Sequence, residues 1–516
     1  MRALLLVGMA LMIPCYLFTA LNTLLSPWPL YDRNRLLLLL LTALCLLLLL
    51  AALRGAARLE AAFVRRERMC LAAAALFYLI VQMGLACALR YTPKTDLEQC
   101  VTAARLIVEQ GTFAQNERSV VYFSRYPHNL GLVYAFAAIL RVCRLLGVTD
   151  SFLPSVLVVS LLFSLGLLSS ARLCRRLGGA CAELRVLLLF GSCLPFLYAS
   201  SELYTDAFSL AFPPVIVLCA VRAREAASRR GRALFALAFA ASSFVGAQLR
   251  FTSIIAAIAC LIALLLQKRP RLTAACALAL AFAFAAGGAG MDAETARHLS
   301  DEQLEQNELP KLHYIAMGLP VQEDEGYGQY GSGGWLLFST SFEDPDARDA
   351  ALLEEVIDRI YYVRYPSRLL SLLSRKNLST FGNGAFLLNE IIEADAHEPD
   401  NPVKQVIFEG GALYGAYYHL TTALFCAQLL LACAACAQAV RRKDTRAAAV
   451  MIALLGAFLF LSMWETRARY FFQFEMLLLC AAALLEPPAR QRRGIGGAAA
   501  EEPHPGMRPE KGACQP

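Results

Sequence analysis

The sequence predicts an all-α, polytopic membrane protein, and three observations carry that reading. Hydrophobic residues fill 58% of the 516 positions and charged residues only 17%, too few charges to cover a soluble surface of that size. The mean hydropathy is +0.51. The apolar residues also run in long blocks, such as the charge-free stretch 36–53, and a bilayer core about 30 Å thick is spanned by roughly 20 helical residues. In lipid, backbone polar groups must bond internally, so the blocks are predicted to be helices.

The pattern gives about thirteen spans of this kind, near 3–25, 36–53, 69–89, 129–146, 151–171, 184–201, 205–221, 232–249, 251–267, 272–290, 412–440, 447–464 and 469–486. The first block is longer than a secretory leader and more spans follow at once, so it reads as a retained helix. The 17 cysteines lie mostly inside apolar blocks without metal-type spacing and read as buried thiols.

Basic residues cluster in five short connections: Arg54 to Arg68; Arg172, Arg175 and Arg176; Arg222 to Arg232; Lys268, Arg269 and Arg271; and Arg441 to Arg446. They flank spans and carry few interleaved aromatics, which excludes a nucleic-acid surface. The positive-inside rule places all five in the cytoplasm of a multi-pass plasma (inner) membrane protein. The remaining connections then face the extracytoplasmic side: loop 90–128, the turns at 201–205, 250 and 465–469, and the long segment 291–410. One conflict of parity follows. Two blocks lie between loop 90–128 and the 172–176 cluster, so either 129–146, which carries Arg141 and Arg144, does not cross, or that cluster faces out.

Four regions result: an N-terminal membrane region 1–290, an extracytoplasmic segment 291–410, C-terminal spans 411–486, and a Pro-, Gly- and Arg-rich cytoplasmic tail 487–516 predicted to be disordered. The segment 291–410 holds 22 acids against 9 bases, and a run from Asp349 to about Leu373 has helical spacing, with Leu352, Val356, Ile360 and Val363 on one side.

Candidate chemistry gathers on the extracytoplasmic side. In loop 90–128 apolar residues recur at Leu97, Val101, Ala104 and Val108, an amphipathic helix stopped by Gly111. Thr95 and Glu98 have the spacing of a capping box, which competes with a binding role for Glu98. Asp96 fits a cap less closely and sits at the membrane boundary. Next, Tyr122-Phe123-Ser124-Arg125-Tyr126-Pro127-His128-Asn129-Leu130-Gly131 packs Arg125 and His128 among aromatics. That set suits a lipid-phosphate head group, through a guanidinium fork, or an ordinary aromatic belt with a snorkelling arginine. Glu202 and Asp206 are four apart, fit one helical face, and lie where a span begins; they suit an acceptor, a divalent cation (Asp206 above all), or a polar interfacial turn. Arg250 is a lone charge between two blocks, fit for phosphate or for snorkelling. Arg467 and Arg469 suit donor phosphate or ion pairing with Glu465. His313 and His397, in the long segment, have no neighbouring pattern that assigns them a role. No Walker loop, GxSxG elbow, HExxH or paired CxxC is present.

These stretches resemble bacterial membrane glycosyltransferases of the GT-C superfamily, the group of protein O-mannosyltransferases and lipid A aminoarabinose transferases. The likeness rests on Asp96 after an early span, the Arg125–Gly131 entry to the next block, the 195–206 turn with its second acid, and Trp464-Glu465-Thr466-Arg467-Ala468-Arg469-Tyr470-Phe471. It extends over about 69–486. The resemblance implies inverting transfer of a sugar from a polyprenyl-phosphate donor to a hydroxyl acceptor on a cell-envelope glycan, lipid or protein. It implies Asp96 as general base and Arg125 as phosphate ligand, with membrane lipids as the surroundings. A divalent cation is the one cofactor the acids would suit. Two other classes remain open: a cell-envelope polysaccharide polymerase or ligase, which needs no early-loop Asp, and a transporter, which would place charges mid-bilayer in two related halves.

Overall fold

The computed structural model describes residues 1–321, 325–392 and 401–486; the predicted disordered tail and His397 lie outside them. The described residues are helical, with no strand among them. The bundle opens with α1 (Arg2–Leu25), α2 (Arg35–Arg65) and α3 (Glu67–Ala88). Two short helices, α4 (Thr95–Gln110) and α5 (Glu117–Arg125), form the first large connection, followed by α6 (Leu130–Leu145). Then come α7 (Phe152–Phe190), α8 (Thr205–Ser209), α9 (Phe212–Glu225), α10 (Arg229–Leu249), α11 (Ile254–Leu266) and α12 (Pro270–Thr295). The long polar segment carries α13 (Asp301–Asn307), α14 (Lys311–Met317), α15 (Trp335–Thr340), α16 (Pro345–Tyr362), α17 (Pro366–Phe381), α18 (Asn389–Ile392) and α19 (Pro402–Ile407). The chain closes with α20 (Tyr414–Arg441), α21 (Ala448–Met463), α22 (Arg469–Phe472) and α23 (Glu475–Ala483). Among the described residues 8 helices are long and apolar enough to cross a membrane, α8 and α9 counting together, and 251–266 and 448–463 are shorter apolar helices.

Two predicted spans, 151–171 and 184–201, begin as the single helix α7, whose run is broken at Gly179 (φ +81). A left-handed φ there costs a glycine little and any other residue strain, and it turns the chain without a loop. The turn carries the third basic cluster. Arg172 pairs with Glu67, and Arg175 lies 3.2 Å from the same carboxylate; both also meet the buried Glu183, at 3.0 and 3.3 Å. Arg176 pairs with Glu225 at 3.0 Å, Arg224 reaches Gln267 at 3.1 Å, and Gln267 reaches the Thr445 carbonyl at 3.1 Å. These contacts tie all five basic connections into one end of the bundle.

That settles the parity conflict. The 172–176 cluster belongs with the others, and 129–146 is the block that does not cross. Its helix, α6, packs along α4; Arg144 near its end donates to the Val108 carbonyl at 3.0 Å, and Asp150 just beyond pairs with Arg90 at the end of α3, at 2.9 Å. Both ends of α6 therefore sit at the end of the bundle away from the basic clusters. The amphipathic α4 forms as its spacing predicts and stops at Gly111, with Leu97, Cys100, Ala104 and Ile107 buried.

The run predicted from Asp349 to Leu373 is two helices, α16 and α17, parted before Pro366 because a residue preceding proline is pushed out of the helical region. Leu352 and Val356 point inward as expected, whereas Ile360 is exposed and Arg359 takes the inner position, paired with Glu325 at 2.5 Å. His313 is buried and bonded to Ser339 at 2.7 Å, a packing role. The segment docks on the 464–469 turn: the Lys376 ammonium donates to the Gly318 and Trp464 carbonyls, and Tyr314 stacks on Trp464 at 5.1 Å.

Single cysteines placed at positions 116 and 150, in a background cleared of exposed thiols, are expected to react with an impermeant maleimide from one side of the membrane and a cysteine at 229 from the other. Labelling of 150 from the side of 229 would restore α6 as a crossing helix.

Candidate functional site

The non-basic end of the bundle gathers most of the polar residues singled out in the sequence. α4 begins abruptly: Thr95 has φ +52, the cap position falls to Lys94, and no side chain caps the helix. The predicted capping box is therefore not formed. Glu98 instead faces Arg118 of α5 at 3.4 Å. Asp96, in the first turn, is left half-buried with its carboxylate toward a cleft of about 560 Å³. Thr95, Gln99, Arg118, Tyr122, Arg125 and Tyr126 share that cleft with it.

The polar neighbours of Asp96 are tyrosine hydroxyls. Tyr204 donates to it at 3.2 Å and also approaches the Asn129 amide oxygen at 3.4 Å; Asn129 donates to Tyr122 at 2.8 Å. The 125–131 motif is thus a bracket around the cleft, and its glycine has a steric reason. A Cβ at Gly131 would lie 2.0 Å from the Gln248 carbonyl, so only glycine lets α6 start against the end of α10. Arg125 closes α5 on the cleft wall. Among the described residues its guanidinium has no hydrogen-bond or ion-pair partner, and its Nε is buried without one. His128 is exposed on the turn beyond, its ring 6.1 Å from Tyr126 and 6.3 Å from Tyr314, and does not line the cleft.

Behind Tyr204 lies a desolvated charge cluster. Asp206 is fully buried at the start of α8. It pairs with Arg250 at 2.7 Å and Arg469 at 3.5 Å. Arg250 also donates to Thr205 at 3.0 Å and lies over the Tyr470 ring at 4.6 Å; Arg469 lies 5.4 Å from the Tyr204 ring centre. Glu202, also fully buried, accepts from the Ala207 backbone at 3.0 Å. Burial, and next the neighbouring Asp206, push its carboxyl well above the usual carboxylate range. Glu465 accepts from Tyr470, and burial raises it too. On the outer side Arg467 and Arg469 converge on Glu390 of α18, at 3.2 and 3.9 Å.

Several expectations change. Arg250 is committed to Asp206 and Thr205, so it is a counter-ion rather than an open phosphate ligand. Glu202 and Asp206 are too deeply buried to meet an acceptor. Asp206 spends its charge on two guanidinium groups, and among the described residues no three His, Cys, Asp or Glu gather as metal ligands would; the residues at Asp206 do not fit a divalent cation. Arg467 and Arg469 pair with Glu390, not Glu465.

Sequence reasoning missed Tyr204, Glu390 and Lys376. Tyr204 was visible only as one aromatic in a turn, and Glu390 as one acid among the 22 of its segment.

These features define a polytopic integral membrane protein with an aromatic-lined, arginine-rich site at one end of its helical bundle. The chain belongs to the family described as conserved hypothetical integral membrane protein, whose profile matches residues 33–489. Among solved structures it is similar to the crystal structure of ArnT from Cupriavidus metallidurans bound to undecaprenyl phosphate. That likeness has 13% identity over 81% of this chain and 77% of the other, with a TM-score of 0.34, too loose to bear on what this chain does. No curated protein matches the chain.

Breaking a buried pair leaves a bare charge and costs about 3–5 kcal/mol. Asp206→Asn is therefore expected to melt markedly earlier in detergent, and the Asp206→Asn/Arg250→Met double variant to recover part of the loss; equal melting of Asp206→Asn and wild type would show the pair to be idle. Lys376 supplies a pH test. Burial pushes its amine down to about 7, with Glu465 opposing, whereas an unfolded lysine titrates near about 10.4. Between these values the folded protein binds fewer protons than the unfolded chain, so stability rises with pH across the window. The melting temperature of wild type should climb from pH 7 to 10 relative to Lys376→Met, and parallel curves would refute it.

Proposed function

We propose that this chain is a membrane glycosyltransferase. It moves a sugar from a polyprenyl-phosphate-linked donor to a hydroxyl acceptor at the end of the bundle opposite the basic clusters, the extracytoplasmic face of the plasma membrane. One observation carries the reading: Asp96 and Arg125, on different helices, wall the same cleft, the carboxylate beside tyrosine hydroxyls and the guanidinium unpaired.

Each group suits its step. Asp96 takes the proton of the acceptor hydroxyl as that oxygen attacks the anomeric carbon, the role of a general base placed within reach of the cleft. The bond from that carbon to the phosphate oxygen breaks with its electron pair on the lipid phosphate, which inverts the centre. Arg125 meets the charge that develops there, in a partly dry cleft where such a contact is worth most. The acceptor approaches past Gln99, Tyr122 and Arg118. Asp206, Glu202 and Arg250 act at one remove, holding Tyr204 and Arg469 in place.

A transporter is disfavoured because the cleft opens at one end of the bundle, beside loop helices α4 and α5, rather than between spans at mid-depth.

With labelled polyprenyl-phosphate sugars supplied to membranes, Asp96→Asn is expected to cut transfer at least about 10²-fold, the usual scale of lost base catalysis, at unchanged protein level. Arg125→Ala is expected to raise the donor KM about tenfold or more, the loss of a charge-assisted contact of roughly 1.4 kcal/mol or above. Full turnover by Asp96→Asn would remove it from the mechanism.

A further inference from the structure

At the Arg467–Arg469 pair two guanidinium groups reach toward the outside of this end of the bundle, and the place is not empty. Arg467 pairs with Glu390 alone, at 3.2 Å. Arg469 is held from behind by Asp206 at 3.5 Å and reaches Glu390 only at 3.9 Å. The two faces of this cluster differ. Asp206 is wholly buried, whereas Glu390 and Arg467 keep about a third of their side-chain surface exposed, at 33% and 29%. A carboxylate on a flexible side chain thus covers the accessible side of a fork whose inner side is fixed.

Local charge sharpens the point. Arg250, Arg467 and Arg469 face two paired carboxylates, Asp206 and Glu390, and Arg250 and Arg469 share Asp206. Without Glu390, Arg467 would have no ion-pair partner among the described residues and the outer edge of Arg469 would be open. Two guanidinium groups two residues apart, on one turn, match the oxygens of a phosphate better than those of a carboxylate, since phosphate has more charge and more acceptors.

We propose that Glu390 is an internal stand-in for a phosphate: its carboxylate occupies the Arg467–Arg469 fork in the free protein and is displaced by a phosphoryl group, which then binds in its place. This rests on, and deepens, the glycosyltransferase reading, because it assigns a second phosphate-binding position and names the residue that sets its affinity. Displacement needs only rotation of the Glu390 side chain, so α18 need not move. Glu390 is an affinity-setting residue and not a catalytic one: removing its charge strengthens binding, whereas removing a ligand weakens it.

The test uses the full chain in phosphatidylcholine nanodiscs, with undecaprenyl phosphate and, separately, inorganic phosphate as probes, and binding read by thermophoresis. Glu390→Gln is expected to bind undecaprenyl phosphate about tenfold more tightly than wild type, the effect of losing a competing charge contact of roughly 1.4 kcal/mol. Adding Arg467→Ala should abolish the gain. A gain of equal size with inorganic phosphate identifies the phosphoryl group itself as the ligand, and a gain confined to the lipid identifies a lipid-linked phosphate; either supports the stand-in. Unchanged or weaker binding in both Glu390→Gln and Glu390→Ala, with melting like wild type, overturns it. Transfer activity separates the two readings: active enzyme without the affinity gain sinks the stand-in alone, and the gain without transfer in any variant sinks the glycosyltransferase alone.

Discussion

Asp206 buried between Arg250 and Arg469 is the constraint on which this end of the molecule depends. An aspartate stripped of water is tolerable only when cations and donors replace the lost hydration. Here the replacements come from the α10–α11 turn and from the start of α22, two elements more than two hundred residues apart in sequence. The three groups fix the mutual position of α8, the 250 turn and the last outer turn. Everything else at the site is hung from that arrangement. Tyr204, two residues before Asp206, carries it forward to Asp96; Arg469 carries it outward to Glu390. The close approach at Gly131 brings the 125–131 bracket onto α10 just before Arg250, so the cleft wall and the charge cluster share a support.

How much of this could be read in the sequence divides along physical lines. Composition and run length are local properties, and they led to the bundle, its long polar segment and the amphipathic α4. Charges at span ends are also local, since a guanidinium or carboxylate at a hydrocarbon boundary is costly enough to need a reason; that is why Asp96, Arg125, Asp206, Arg250, Arg467 and Arg469 stood out, and all six do lie at the same end. Partners are not local. Nothing near Asp206 in sequence says that it will spend its charge on Arg250 and Arg469 rather than on a cation, and nothing near Arg467 points to Glu390. The capping box at Thr95 failed for a related reason: the pattern is a propensity of an isolated helix end, and here the end is set by where α4 must sit against α6. The apolar block 129–146 misled as a span because hydropathy reports preference for lipid, not depth. Its two arginines, Arg141 and Arg144, were the signal that both of its ends stay at one end of the bundle.

The long polar segment is more than a cover. Lys376 reaches into the boundary between that segment and the 464–469 turn, where an amine is stable only because the Gly318 and Trp464 carbonyls accept from it. Thr466 adds bonds to the Tyr327 carbonyl and Ser379, both at 2.9 Å, and its amide donates to the Gly328 carbonyl at 2.8 Å. The turn that carries Arg467 and Arg469 is therefore held from the membrane side by Asp206 and from the outer side by the segment. Two arginines gripped on both sides keep their spacing, the preorganisation that lets a cationic fork bind an anion without first ordering itself.

The two aspartates of the site show how partners assign roles to identical side chains. A base must have an unclaimed oxygen to offer and a path by which a proton can reach it. Asp206 fails on both counts, since Arg250 and Arg469 take up its two oxygens and no solvent reaches it to exchange a proton. Asp96 meets both: hydroxyls of Tyr204 and Tyr122 orient it, no cation is paired with it among the described residues, and it opens on a cleft large enough for a substrate. Arg125 completes the contrast, for among the described residues no carboxylate has claimed its guanidinium. An arrangement serving only to hold helices together would have paired Asp96 with Arg125, since they share one wall. Leaving them apart keeps a carboxylate and a positive charge open in one cleft, the pair that the proposed sugar transfer from a lipid phosphate would use.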